Sequence, residues 1–341
     1  MPDRVGEQLG NYQLIQLLGQ GSSAEVYLSG HIHLGTLAAI KVLRRELASE
    51  DFDTFLMEAR LLAHLIHPHI VRVLEFGIED KLPFLVMDFA PYGTLRQRHP
   101  KGTIIPLPTV ISYVKQVADA LECAHDERLI HRDVKPENML VGRRNEVLLS
   151  DFGIAILMQS AHGQHSSEMS GTMAYMAPEQ IRGRPCLASD QYSLGIVIYE
   201  WLCGMHPFQG SSAIEVAMKQ LSTPPQPLRD IGPSVLPAIE QVVLRALAKD
   251  PEERFESVQV FAAALEQASF SDESSARAYS HLQTEKPLSS QTAVSPSDGS
   301  LPTALSDPSD DLFSTVPSGS LDDRIPTLDQ ELGDECPRMI T

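Results

Sequence analysis

The chain has 341 residues, 43% of them hydrophobic, and a formal net charge of -18. That content suffices for one large domain or two modest ones, and the acidic surplus argues against general affinity for nucleic acid or an anionic membrane surface. Four cysteines (Cys123, Cys186, Cys203 and Cys336) lie far apart with no CxxC pair, which suits reduced thiols in a cytoplasmic protein better than a disulfide framework.

Residues 1–11 lack the apolar core of a signal peptide and read as an N-terminal extension. Residues 12–18, 24–29 and 37–43 have strand patterns. Between the first two lies Gly19-Gln20-Gly21-Ser22-Ser23-Ala24-Glu25-Val26. Glycines there let backbone approach phosphate oxygens without an intervening side chain. The third glycine of a G-x-G-x-x-G pattern is Ala24, and taken alone the segment is equally a tight hairpin. No G-K-[ST] triplet is present, which argues against a P-loop nucleotidase. Lys41 follows Ala38-Ala39-Ile40 in an apolar strand, where a lysine is costly unless it is paired or faces a ligand. Residues 50–66 place Phe52, Phe55, Leu56, Ala59, Leu62, Ala63 and Ile66 at steps of three and four, the mark of an amphipathic helix ended by Pro68. Glu58 lies on its inner stripe and is the expected partner of Lys41.

Two more strand patterns, 71–76 and 83–87, lead to the turn Pro91-Tyr92-Gly93. Helical patterns then dominate, over 109–125, 190–203, 212–221, 237–248 and 257–269. Strands first and helices after make an α+β order, not an alternating one. No run of about 18 apolar residues exists to span a membrane; the best, 194–205, is short and interrupted by Glu200. Residues 269–341 hold thirteen Asp/Glu against four Lys/Arg with isolated hydrophobics, an acidic Ser/Pro-rich tail expected to stay mostly disordered.

The chemistry concentrates in His131-Arg132-Asp133, Lys135, Asn138 and Asp151-Phe152-Gly153. Met139-Leu140-Val141 and Val147-Leu148-Leu149 flank Gly142-Arg143-Arg144-Asn145, a hairpin that can bring these groups together. Phosphoryl transfer uses such a set: Asp133 to orient a hydroxyl, Lys135 to stabilise charge on the moving group, Asn138 and Asp151 as hard oxygen ligands for magnesium.

With Ala39-Ile40-Lys41, Ser170-Gly171-Thr172, Ala177-Pro178-Glu179, Asp190 and Arg254, this run resembles the Hanks-type, eukaryotic-like serine/threonine protein kinases common in bacteria, over about residues 12–268. The resemblance implies a bilobal kinase fold. Its small antiparallel β-sheet N-lobe, with one helix, would cover about 12–88, and its larger, mainly helical C-lobe about 91–268. It implies ATP and Mg2+, with Gly19, Gln20, Gly21, Val26, Ala39, Lys41, Met87, Asp88, Ala90 and Leu140 around the nucleotide. Thr172 would brace Asp133 and Lys135, Lys41 would pair with Glu58, and Glu179 with Arg254. Leu62, Val73, His131 and Phe152 match positions that stack into an internal spine. Lys135 resembles the serine/threonine rather than the tyrosine enzymes. Proteins bearing Ser/Thr would be the substrates, with self-association for trans-autophosphorylation and no nucleic acid or membrane span.

Residues 153–177 match the activation segment, with Ser166, Ser167, Ser170 and Thr172 as its hydroxyls. Arg132 is one cation for a docked phosphate. Ile156 and Thr54 stand where many relatives carry further basic residues, so phosphate-driven ordering is expected to be weak. Glu137 resembles one of two acidic positions used by basophilic kinases and the other is Thr94, so no arginine-directed preference is expected. His31/His33, His64/His67/His69 and His162/His165 lack the ligands to complete a zinc site. Two other readings are a pseudokinase scaffold, which the complete set of catalytic groups disfavours, and a small-molecule phosphotransferase, which would lack the Ser-Gly-Thr to Ala-Pro-Glu segment. The tail is open between docking region and solubilising linker.

Overall fold

The computed structural model describes residues 4–21, 24–44, 49–79, 81–152 and 172–282, without the side chains of 49–55, 58 and 271–282. Contacts divide the chain into Met1–Lys286 and Pro287–Thr341, and every described residue belongs to the first unit.

Six strands form one antiparallel sheet: β1 (Gln8–Leu9), β2 (Tyr12–Gln20), β3 (Ala24–His31), β4 (Leu37–Leu43), β5 (Val73–Glu79) and β6 (Leu82–Asp88), in the order β1-β2-β3-β4-β6-β5. Helix α1 (Ser49–His64) is inserted between β4 and β5. The register decides which residues share a face. Val26, Lys41 and Leu85 stand opposite one another, as do Leu28, Ala39 and Met87. Opposed residues point the same way and neighbours along a strand point to opposite faces. Val26, Ala39, Lys41 and Met87 therefore lie on one face. Tyr27, Ile40 and Val86 lie on the other and pack with Leu14, Val42 and Phe84 into a small core. From Ala38 onward β4 is buried on both faces, which explains an apolar run without alternation.

The helical part comprises α2 (Leu95–Arg98), α3 (Leu107–Asp126), α4 (Pro178–Ile181), α5 (Leu187–Cys203), α6 (Ala213–Ser222), α7 (Leu228–Ile231), α8 (Pro237–Ala246) and α9 (Val258–Leu282). Every residue of α5 from Ser189 to Cys203 is buried, as expected of a helix running through the middle of a domain. Gly195 permits its close approach to α8: an added Cβ would lie 3.1 Å from Leu247 Cδ2 and 3.3 Å from Ala246 Cβ. Gly204, at φ 73°, ends the helix and its N–H donates to the Glu200 carbonyl at 2.7 Å. The short hairpin β7 (Met139–Val141) and β8 (Val147–Leu149) is extended at one edge by the segment after α1. Leu149 N–H donates to the His69 carbonyl and Val71 N–H to the Leu149 carbonyl, at 2.8 and 2.9 Å. These bonds tie the sheet lobe to the helical lobe. The α+β, bilobal expectation therefore holds.

Two boundaries move. The extension expected over 1–11 is partly sheet, because Gln8 and Leu9 pair with Gln13 and Tyr12, a two-residue strand too short for any period to reveal. The last helix, expected to stop at Ser269, continues to Leu282. Its final turns carry Asp272, Glu273 and Arg277 with several serines and alanines, which give no apolar period while remaining compatible with helix. Residues 283–341 lie outside the described ones.

A buried bidentate pair anchors the helical lobe. Arg254 donates to both carboxylate oxygens of Glu179 at 2.8 Å, and Ser189 Oγ donates to Glu179 Oε1 at 2.7 Å. Burial alone would raise the Glu179 carboxyl, but these partners outweigh it and hold it below its usual range. A depressed folded-state carboxyl contributes stability that is full above the ordinary carboxylate range and is lost as pH falls through the folded value. Arg254→Ala should leave that charge buried and unpaired and cost about 3–5 kcal/mol. It should also flatten the acid limb of stability against pH. Urea denaturation between neutral pH and the acid range measures both.

Candidate active site

Six of the residues singled out from the sequence are linked by polar contacts with one covalent step, from Ser150 to Asp151. Thr172 Oγ1 accepts from Lys135 Nζ at 3.0 Å, and the same ammonium lies 2.8 Å from Asp133 Oδ2. Asn138 Nδ2 donates to Asp133 Oδ2 at 2.9 Å and to its carbonyl at 2.8 Å. The Asn138 carbonyl accepts from Ser150 N–H at 2.9 Å, which places Asp151 one residue away. Asp151 Oδ1 accepts from Lys41 Nζ at 2.7 Å, closing the link to the cleft face of the sheet.

The Asp133 carboxylate is half used. Its Oδ2 has two donors, while Oδ1 is buried and has no hydrogen-bond partner among the described residues. A buried acceptor left free is costly unless something else supplies a donor, so this atom could orient an incoming hydroxyl. Burial alone would raise the Asp151 carboxyl, but Lys41 beside it, with His131 and Lys135 further off, holds it below its usual range. It therefore stays ionised at neutral pH. The residues also fit a hard cation. Asn138 spends its amide nitrogen on Asp133, leaving the carbonyl oxygen uncommitted, and Asp151 gives Lys41 one of its two oxygens.

Both Arg132 and Asp151 carry left-handed backbone, with φ of 68° and 66°. Such a conformation costs roughly 1–3 kcal/mol at a non-glycine residue and persists only when its surroundings impose it. At Arg132 the imposing group is Asp190, wholly buried near the start of α5. The backbone N–H groups of His131 and Arg132 donate to its two oxygens at 2.8 Å each, and His125 Nε2 lies 2.8 Å away. Gln180 Nε2 donates to the Arg132 carbonyl at 2.6 Å. His131 is fixed as well. Its Nδ1 accepts from Asp133 N–H at 3.2 Å, so Nε2 carries the proton and donates to the Ser150 carbonyl at 2.8 Å.

The residues expected around a nucleotide lie on or near β2, β3, β4, β6 and β7. Gly19, Gln20 and Gly21 form the β2 end of the hairpin, closed by Gly21 N–H donating to the Ala24 carbonyl at 2.8 Å. A Cβ on Gly19 would meet no atom of the described residues within 4 Å, so none of them demands glycine there. Val26, Ala39 and Lys41 share the cleft face with Met87; Asp88 ends β6, Ala90 is buried, and Leu140 in β7 pairs with Thr94. Leu62, Val73, Met87, Asp151 and Phe152 line one small cavity, and the His131 and Phe152 rings lie 4.5 Å apart.

Some expectations find no test or a different answer. Glu58 lies on α1, but its side chain is outside the described ones, and the contact seen for Lys41 is with Asp151. Ser166, Ser167 and Ser170 also lie outside the described residues. Thr94 is an N-cap: its Oγ1 accepts from Gln97 N–H at 3.1 Å and its own N–H donates to Gln97 Oε1 at 2.9 Å. Among the described residues no group of three His, Cys, Asp or Glu could hold a metal, and no helix is long and apolar enough to cross a membrane. Sequence reasoning named Asp190 without a role and missed Gln180, Arg96 and Glu200. A charged residue inside a wholly apolar helical run was the available signal, since burial there requires a partner.

Among known families, residues 12–265 match the protein kinase domain. The chain is 34% identical over 259 residues to serine/threonine-protein kinase PrkC of Bacillus subtilis, covering 75% of this chain and 40% of that protein. It is 38% identical over 273 residues to serine/threonine-protein kinase Pkn1 of Myxococcus xanthus, covering 77% and 39%. It is 37% identical over 278 residues to serine/threonine-protein kinase PknF of Mycobacterium tuberculosis, covering 78% and 58%. The chain thus spans less than two thirds of the length of each of these curated relatives.

Asp190→Asn tests the strained loop. The amide keeps the shape but replaces one acceptor by a donor facing a backbone N–H, so about 1–3 kcal/mol of stability should be lost. Amide exchange at His131 and Arg132 should accelerate more than in the β7–β8 hairpin, as read by hydrogen-exchange mass spectrometry or NMR.

Proposed function

This chain belongs to the protein kinase domain family, and from that premise we propose that it transfers the γ-phosphate of ATP to serine and threonine hydroxyls of proteins, its own included, inside the cytoplasm. The observation that carries the proposal is the contact path from Thr172 through Lys135, Asp133 and Asn138 to Asp151 and Lys41. It supports Asp133, Lys135, Lys41 and Thr172 as the catalytic group, to which the family resemblance alone adds Glu58. A scaffold without activity would have no need to hold all of these together.

Asp133 Oδ1 accepts the hydrogen bond of the substrate hydroxyl and turns its lone pair toward the phosphorus. Lys135, kept between Asp133 and Thr172, presents its ammonium to the charge that builds up during transfer. Lys41 fixes the α- and β-phosphates from the cleft face of the sheet. Gly19, Gln20 and Gly21 lie over the phosphates, and Val26, Ala39, Met87, Asp88, Ala90 and Leu140 surround the adenine. Asn138 and Asp151 hold Mg2+, which supplies charge neutralisation on the phosphates when bound. Serine/threonine acceptors are favoured by Lys135, and trans-autophosphorylation requires transient contact between copies.

Purified protein incubated with labelled ATP, magnesium and a generic protein acceptor should incorporate phosphate on Ser/Thr. Asp133→Asn should lower the rate by about a hundredfold or more while leaving nucleotide affinity within a few-fold. Equal rates for the two proteins would defeat the proposal.

Regulation by the segment around Ser166 and Ser167 follows from the cations available. Arg132 Nε is buried and has no partner among the described residues, so one guanidinium awaits a phosphate, while Thr54 and Ile156 add no charge. The Ser166→Ala/Ser167→Ala variant should lose less than about a hundredfold in activity. A larger loss in a steady-state assay would contradict weak phosphate control.

A further inference from the structure

Arg96, on the short helix α2, is the hub of a second buried polar cluster. Its side chain is 14% exposed. Nε donates to Glu137 Oε1 at 2.8 Å, Nη1 to Glu200 Oε1 at 2.8 Å, and Nη2 to Glu200 Oε2 at 2.9 Å and to the Tyr175 hydroxyl. The Tyr175 hydroxyl donates to Glu200 Oε2 at 2.6 Å. Four segments meet there: the helix after the β6 strand, the turn after the Asp133 loop, the end of α5, and the stretch following Thr172.

The position of this cluster matters more than its strength. Glu137 comes two residues after Lys135 and four after Asp133. Tyr175 comes three after Thr172, which itself touches Lys135, and Tyr175 N–H donates to the Thr172 carbonyl at 3.1 Å. The Glu137–Glu200 pair is therefore joined, through Glu137 and Tyr175, to the two segments that carry Asp133, Lys135 and Thr172. Two uncovered carboxylates next to a peptide-binding surface would select basic residues flanking that hydroxyl, by charge complementarity and by the cost of leaving the pair unmatched. A planar guanidinium with five donors suits both acids at once.

Resting on the kinase reading, we propose that Arg96 is a specificity-determining residue. By filling the Glu137–Glu200 pair from within the chain, it makes the enzyme indifferent to arginine or lysine around the phosphorylated hydroxyl. The rival view is that Arg96 is only a brace for Tyr175. The two differ in what they predict. Loss of a brace lowers rates on all peptides together, whereas uncovering the acid pair raises the relative rate on basic peptides alone.

Matched peptides carrying Ala or Arg at each of the three positions on either side of a single serine separate the two views, with kcat/KM measured on the full chain. For the unaltered protein the Arg-to-Ala ratio should stay within about threefold at every position. In Arg96→Met it should rise to about tenfold or more at one or two positions. Because that change strands Glu200 in the interior, Arg96→Met/Glu200→Gln is measured beside it. It removes the stranded charge, leaves Glu137 uncovered, and should still raise the ratio by about threefold. A tenfold arginine preference in the unaltered protein, or ratios unmoved in both variants, would overturn the inference. If the unaltered protein phosphorylates no peptide above the Asp133→Asn background, the kinase reading itself fails and takes this inference with it.

Discussion

The carboxylate of Asp190, buried in α5, is the constraint on which the catalytic arrangement depends. It accepts the backbone N–H groups of His131 and Arg132 and so imposes a backbone conformation that an arginine would not adopt unaided. Everything downstream inherits that geometry. The loop turns so that Asp133 meets Lys135 and Asn138, and His131 reaches the Ser150 carbonyl just before Asp151. Hydrogen bonds to an ionised acceptor in a dry interior are strong enough to offset the strain they enforce.

Asp190 is one case of a wider arrangement along α5. Several polar side chains of this otherwise apolar helix fasten other segments of the chain. Ser189 donates to Glu179, Gln191 bonds the backbone of Phe255 and Ser257, and Ser193 donates to the Tyr175 carbonyl. Glu200 receives Arg96 and Tyr175. A buried polar group gains little net stability when satisfied and costs much when not. The value of these groups is therefore geometric. They favour, for each segment they hold, the arrangement in which these particular donors and acceptors are paired. Rigid helix packing is thereby converted into fixed positions for loops that carry chemistry.

How much of this was legible in the sequence follows from the range of the interactions. The helix of the first lobe was visible because its apolar residues recur at steps of three and four, and β4 because burial on both faces makes a continuous apolar run. The cleft face was visible because Val26, Ala39, Lys41 and Met87 fall into register once β3, β4 and β6 pair. Asp133, Lys135, Asn138 and Asp151 were legible because their chemistry confines them to a short run. The roles of Asp190 and Arg96 were not, because their partners lie 58 to 65 and 41 to 104 residues away in the chain. Periodicity contains no information about such pairings. Glu200 was read only as a charge that breaks an apolar stretch, which was correct about burial and silent about what offsets its cost. β1 escaped because two residues have no pattern, and α9 overran its expected end because helix propensity outlasted its apolar stripe.

Under the proposed function and the role inferred for Arg96, the same helix joins chemistry to selection. Asp190 and Glu200 are ten positions apart on α5, which at 1.5 Å per residue sets them about 15 Å apart along its axis. One end fixes the loop that carries Asp133, and the other fixes Tyr175 and, through Arg96, Glu137. An extended peptide rises about 3.3 Å per residue, so a substrate lying along that direction would span it in about four or five residues. A change in α5 that shifted one anchor relative to the other would alter where the flanking residues meet their contacts without touching the reacting groups. Recognition and catalysis can then vary separately only at the loops, since the helix between them holds their separation.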